Sequence, residues 1–360
     1  MLETLNKTPL SVAMFSRARH TGYYSIEKVF QTIQAAMPER IEARMIAPPL
    51  HAQGLWRRLF CLAYAGMHRS TVNHITGDIS FAAMALPGDR TIVTVHDFDR
   101  LYRLRGLRAA LFRAVYFTMP FRRCRYITSI STQIARELGD LFPWAVPKLV
   151  VIPDCLPAGF CHVPKNFNAE RPVILQIGAK PNKNLESLIQ ALQGQPCELH
   201  VVGQLSGKQQ SLLEQCAVPY RNSVDISEAD LLKAYAQADI VSFVSTYEGF
   251  GLPILEANAV GRPVITSNLP PMSDVAGQAA CLVNPHSIPA IREGIARIIA
   301  DPEYRTSLVS RGFENIRSYS AAAIARQFAS LYEAVAGAPA TEGSMFQAAP
   351  VANAGIRRVS

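Results

Sequence analysis

Short apolar, β-branched runs alternate with stretches of helical periodicity along most of this 360-residue chain. In the first half, residues 11–15, 41–46, 72–75, 91–95, 126–129 and 148–152 read as strands. Runs of Val, Ile and Thr with little polar alternation suit strands buried on both faces of a parallel sheet. Between them, 25–36 and 130–141 carry helical spacing. Strands and helices taking turns predict a parallel sheet wrapped by crossover helices. Residues 153–172 are polar and punctuated by proline, the marks of a linker. A second set follows, with strands at 173–177, 198–202, 239–244 and 264–267 and helices at 185–192 and 227–236. Ile288, Ile291, Ile295, Ile298 and Ile299 recur at helical spacing and predict a core-facing stripe. Residues 321–335 read as a last helix, and from 337 onward Ala, Gly, Pro and Ser without period predict a disordered tail.

The length accommodates two domains, each large enough for its own core. A chain 49% hydrophobic and 18% charged is globular in composition. Seven cysteines, an odd number without paired spacing, predict reduced thiols and no zinc site. The first nine residues lack a secretory pattern, and no apolar run is long enough to span a bilayer, so a cytoplasmic chain is expected. The net charge of +8 is uneven: residues 1–165 hold 21 Lys and Arg against 11 Asp and Glu, the remainder 15 against 17. The first half therefore expects an anionic partner. No stacking platform or nucleic-acid motif accompanies the charge, so nucleic acid is not expected and an anionic membrane surface fits better.

The densest chemistry lies at 245–256, after the strand at 239–244. Glu248 and Glu256 flank Gly249, Phe250, Gly251 and Leu252, and Pro253 suits the first turn of a helix. Glycines admit close backbone approach, free N–H groups at a helix start attract an anion, and a carboxylate matches a vicinal diol. An acidic, capped helix start is the plain structural alternative. Gly178, Lys180, Asn182 and Lys183 likewise follow a strand and open a helix, a place for diphosphate. Asp97 and Asp99 form an Asp-x-Asp, a pattern that elsewhere holds a divalent ion.

The order and spacing of Ala236–Asp239, Tyr247–Pro253, Gly261–Val264, Thr266–Asn268 and Val275–Gly277, with Ile177–Gly178 and Lys183–Asn184 upstream, resemble glycosyltransferase family 4. The resemblance covers about residues 171–335 strongly and 8–170 more weakly. It implies an α/β GT-B fold, two Rossmann-like parallel-sheet domains facing a central cleft. The expected domains are 1–165 for the acceptor and 166–318 for the nucleotide sugar, then a helix at 319–336 crossing back to the first domain and a tail at 337–360.

The resemblance further implies a retaining, metal-independent transferase without cofactor, moving a sugar from a nucleotide diphosphate sugar to a lipid-linked saccharide in surface polysaccharide synthesis. GDP-mannose is the first donor expected, with UDP-sugars, or a non-catalytic sugar-nucleotide binder, as alternatives. Glu256 would bind ribose and Glu248 the donor sugar. Backbone around Gly249–Leu252 would meet sugar or phosphate, and Lys183, with Lys180, the diphosphate. Asn182 stands where relatives carry arginine, and Gly22 lies in the first-domain loop that closes over phosphates. His96 would contact the donor sugar, and His74 is a second strand-end histidine.

Arg103, Arg105, Arg108, Arg122 and Arg123 are interleaved with Leu, Phe and Tyr, which fits an interfacial helix on the inner face of the cytoplasmic membrane. A packed helix with a solvated basic face is the alternative.

Overall fold

The computed structural model describes residues 8–18, 25–52 and 54–337. Two compact units emerge. Among the described residues, one holds those before 19, 34–153 and those from 325 on; the other holds 25–33 and 154–324.

The first unit is a parallel sheet of β1 (Leu10–Phe15), β2 (Ile41–Ile46), β3 (Val72–Ile75), β4 (Thr91–Val95), β5 (Tyr126–Ser129) and β6 (Leu149–Val151), in the order β2-β1-β3-β4-β5-β6. Helix α1 (Ser25–Ala35) leads from β1 toward β2, and its residues up to Ile33 cluster with the second unit. Helix α2 (Leu55–Met67) joins β2 to β3. The arginine-rich stretch is not one helix. It breaks into α3 (Asp99–Arg103), α4 (Gly106–Arg113), a π-helical turn at Ala114–Thr118, and α5 (Met119–Arg123). The break follows from Gly106, a poor helix interior residue at φ 58°, and from an aromatic cluster that the wider turn fits inward. Helix α6 (Thr132–Leu141) starts at Ser131, whose hydroxyl accepts from the Ile134 amide.

The second unit carries β7 (Val173–Ile177), β8 (Glu198–Val202), β9 (Tyr220–Ser223), β10 (Ile240–Phe243), β11 (Val264–Ser267) and β12 (Cys281–Val283). They pair in parallel in the order β12-β11-β10-β7-β8-β9. Its helices are α7 (Leu185–Leu192), α8 (Gly207–Gln215), α9 (Glu228–Gln237), α10 (Leu252–Val260), α11 (Met272–Ala276), α12 (Ile288–Ala300) and α13 (Pro302–Ser318). Ile291, Ile295 and Ile298 are wholly buried against β11 and β12 residues, with Ile288 and Ile299 at the margin, as their spacing predicts. Two further strands lie at the sheet edges: β9 reads Tyr-Arg-Asn-Ser and has no apolar run, and β12, Cys-Leu-Val, is only three residues long. Edge strands need no two-sided apolar pattern, so periodicity misses them.

The last helix, α14 (Ala321–Ala336), packs in the first unit from Ala325 onward. His74 on β3 joins it through Tyr332, Arg40 pairs with Glu333 at 2.5 Å, and Arg90 donates to the Ala336 carbonyl. Among the described residues, no helix is long and apolar enough to cross a membrane. Six of the seven cysteines are buried and all are free.

Candidate functional site

In each sheet the strand order reverses once, between β1 and β3 in the first unit and between β7 and β10 in the second. Loops leaving the carboxyl ends of such a pair splay apart and leave a crevice. In the second unit those loops begin at Gly178 and Val244, so the two motifs picked out in the sequence are neighbours across this point.

The loops are stitched together. Thr246 N donates to the Asn182 carbonyl at 2.8 Å, and Asn182 Nδ2 donates to the Tyr247 carbonyl at 3.0 Å. The same amide reaches Glu248 Oε1 at 3.3 Å. Lys183 Nζ lies 2.7 Å from that oxygen and 4.7 Å from the Phe243 ring centre. Both side chains are mostly buried, 19% and 14% exposed, so the pair is stronger than one in open water. Glu248 Oε2 has no hydrogen bond among the described residues, which leaves it to accept from outside. Lys180 stands exposed at the start of the loop.

Lys183 reaches this point because residue 178 has no side chain. Gly178 sits at φ 87°, and a Cβ there would come 3.0 Å from Lys183 Cε and 3.1 Å from Cγ. The lysine stem is thus laid across the glycine. Asn184, itself left-handed at φ 57°, closes the turn by donating to the Val244 and Pro285 carbonyls.

Gly249 follows Glu248 in the loop, and Gly251 at φ 138° turns the chain into α10. No side chain caps α10; Pro253 has no N–H and the Ile254 amide donates to the Gly251 carbonyl at 3.0 Å, so in the first turn the Leu252 N–H is the one left to an anion. Phe250 turns inward, 5% exposed and edge-on to Tyr319, so only its backbone faces the loop surface. Glu256 is 2% exposed, and its Oε2 accepts from Tyr235 OH on α9 at 2.5 Å. The two carboxylates therefore differ in setting: Glu248 at the loop surface, Glu256 inside the second unit. Tyr235 was not singled out in the sequence, where it is one aromatic on an ordinary amphipathic helix.

Gly22 lies outside the described residues. In the first unit, His96 directly follows β4, is 6% exposed, and its Nε2 lies 2.8 Å from the Thr76 carbonyl. A carbonyl only accepts, so Nε2 carries a proton. His74 is a different case. It is wholly buried, with Nδ1 2.8 Å from Tyr332 OH and Nε2 2.6 Å from Thr94 Oγ1, and burial pulls its pKa down to about 3. That is a neutral structural histidine.

The Asp-x-Asp carboxylates have local work. Asp97 Oδ1 accepts from the Asp99 amide, and Asp99 holds Arg103 with two contacts of 2.9 Å. Burial first, and Asp78 second, push the Asp97 carboxyl above its ordinary value. Of the basic set, Arg103 is thus paired, Arg122 lies over Trp144 and Arg123 donates to the Leu86 carbonyl. Arg105 and Arg108 are exposed on or beside α4.

Residues 161–315 match the model of the family glycosyl transferases group 1. The segment contains every site residue of the second unit. Over 250 residues the chain is 30% identical to O-antigen chain mannosyltransferase B of Escherichia coli, covering 66% of this chain and 58% of that one. Over 122 residues it is 32% identical to the GDP-mannose:cellobiosyl-diphosphopolyprenol alpha-mannosyltransferase of Komagataeibacter xylinus, covering 33% of this chain and 31% of that one. The chain spans less than two thirds of the length of these curated relatives. Among solved structures, a sucrose-phosphate synthase from Thermosynechococcus elongatus superposes with a TM-score of 0.70 at 19% identity, covering 91% of this chain and 99% of that one. The fold is of the GT-B type, built from two Rossmann-like domains.

Proposed function

We propose that this chain is a retaining, metal-independent glycosyltransferase that moves mannose from GDP-mannose to a lipid-linked saccharide in surface polysaccharide synthesis. The observation that carries the reading is the Lys183–Glu248–Asn182 cluster at the β7/β10 reversal, beside the uncapped start of α10. The mannosyltransferases among its relatives support the donor sugar, and the GDP-mannose and diphosphopolyprenol in one relative's name support donor and acceptor class.

In this reading Glu248 accepts hydrogen bonds from donor-sugar hydroxyls through Oε2 while Asn182 and Lys183 hold Oε1. Lys183, Lys180 and the Leu252 amide face the diphosphate. As the bond from the anomeric carbon to the diphosphate oxygen breaks, negative charge grows on the leaving group, and fixed positive groups favour that change without reorganising. The acceptor hydroxyl attacks the same face of the oxocarbenium-like sugar and gives its proton to the departing phosphate oxygen. No protein nucleophile is required. Glu256 receives the ribose hydroxyls, held in place by Tyr235. His96 stands by the donor sugar. The protein works in the cytoplasm, at the inner face of the membrane.

The test is nucleotide release from GDP-mannose and from UDP-sugars in the presence of membrane lipid extract, with and without a chelator. Release from GDP-mannose, insensitive to chelator, is the expected result. Release from UDP-sugars alone moves the donor assignment. Dependence on added metal overturns metal independence, and release from none makes the chain a sugar-nucleotide binder.

A further inference from the structure

The first unit carries a basic and apolar surface that the donor site leaves unexplained. No Asp or Glu occurs between Glu42 and Asp78, nor between Asp99 and Glu137. Within these windows lie α2, α4, the π-helical turn and α5. On α2, Leu55, Trp56, Leu59 and Phe60 point outward, Trp56 81% exposed. On α4, Leu107 and Leu111 do the same, Leu107 85% exposed and one helical turn from Leu111. Single exposed apolar residues are ordinary, but runs at helical spacing on two neighbouring helices mark a contact surface.

The two helices meet at one ring. Tyr116, buried in the π-helical turn, stacks on Phe112 of α4 with centroids 4.4 Å apart. The Arg58 guanidinium of α2 lies 5.6 Å from the Tyr116 ring centre, and that of Arg100 on α3 lies 5.8 Å from it and 4.9 Å from Phe112. Arg58 Nε is steadied by the Ala52 carbonyl at 3.3 Å. Among the described residues neither arginine has a carboxylate within ion-pair distance. Two guanidinium groups lie against one buried aromatic pair, with Asp78 and Asp97 lining the cavity beside Arg100, and guanidinium forks match phosphate oxygens better than they match cationic ligands.

We propose that Arg58 and Arg100, against Tyr116, bind the phosphates of an isoprenoid diphosphate embedded in a bilayer, with the outward apolar residues of α2 and α4 resting among the lipid chains. An apolar patch and a cationic patch together supply the two signals that stable bilayer attachment requires. The inference rests on the lipid-linked acceptor in the proposed function and adds its anchor site.

Vesicle sedimentation tests it on the full chain. The probes are phosphatidylcholine vesicles alone, the same vesicles with phosphatidylglycerol, and the same vesicles with undecaprenyl diphosphate at equal added charge. The native chain is expected to bind the diphosphate vesicles about tenfold more tightly than the phosphatidylglycerol ones, the scale of one or two charge-assisted contacts. The double variant Arg58→Gln, Arg100→Gln loses that preference and keeps its residual binding to phosphatidylglycerol. Leu107→Ser with Leu111→Ser, both surface changes, weakens binding to every vesicle. Equal affinity for the two anionic vesicles, a preference unchanged in the arginine variant, or no vesicle binding at all overturns the proposal. These readings use no donor. Vesicle failure with intact nucleotide release removes this site alone, whereas lost nucleotide release with intact vesicle preference removes the transferase reading alone.

Discussion

His74 makes the stability of the first unit depend on pH in a direction the structure dictates. The ring is wholly buried between Tyr332 and Thr94, and Thr94 passes the chain of hydrogen bonds on to Thr128 at 2.6 Å. Desolvation, with His96 adding to it, lowers its pKa from 6.5 to about 3. Between these values the unfolded chain takes up a proton that the folded chain refuses. The stability His74 contributes is therefore complete above pH 6.5 and is lost progressively as pH falls toward 3. From pH 7.5 to 5.0 the loss from this one group is about 2 kcal/mol. His74→Asn keeps a donor and an acceptor at the site but does not titrate there. Both tryptophans, Trp56 and Trp144, belong to the first unit, so urea unfolding followed by their fluorescence reports that unit and excludes His200, whose pKa is also lowered, to about 4. The native chain should lose about 2 kcal/mol more than the variant over this pH interval. An equal loss in both refutes the neutral-histidine argument, whatever their absolute stabilities.

Three further outcomes follow from the second unit. Glu248→Ala removes the carboxylate assigned to the donor sugar and should abolish turnover while nucleotide affinity, measured by calorimetry, falls little; normal turnover contradicts that role. Gly178→Ala places a methyl group against the Lys183 stem at φ 87°, costing about 1–2 kcal/mol in thermal unfolding and lowering turnover more than the stability loss explains. Tyr235→Phe removes one donor to the buried Glu256 carboxylate, with an expected cost of about 1.5–3 kcal/mol and weaker nucleotide binding. Unchanged nucleotide affinity in that variant would detach Glu256 from ribose.

Local pattern determined more of this protein than its edges suggest. Buried parallel strands must be apolar on both faces, so β1, β4, β7, β10 and β11 are visible as runs, and the isoleucine stripe of α12 marks its own core face. Glu248, Asn182 and Lys183 are legible as loop chemistry because glycines and a helix start surround them. Their meeting is not legible. It depends on β7 and β10 becoming neighbours although β8 and β9 separate them in the chain, and strand order is a property of the whole sheet. The same holds for Tyr235 against Glu256, for His74 against Tyr332 from 258 residues away, and for Arg58 and Arg100 over one ring. Hydrophobic period reports which face a residue presents to a core. Which other segment waits across that core is decided only when loop closure and packing choose one arrangement, and there the tertiary structure turned a strand-end histidine into a structural one and an unremarked tyrosine into a partner of the candidate site.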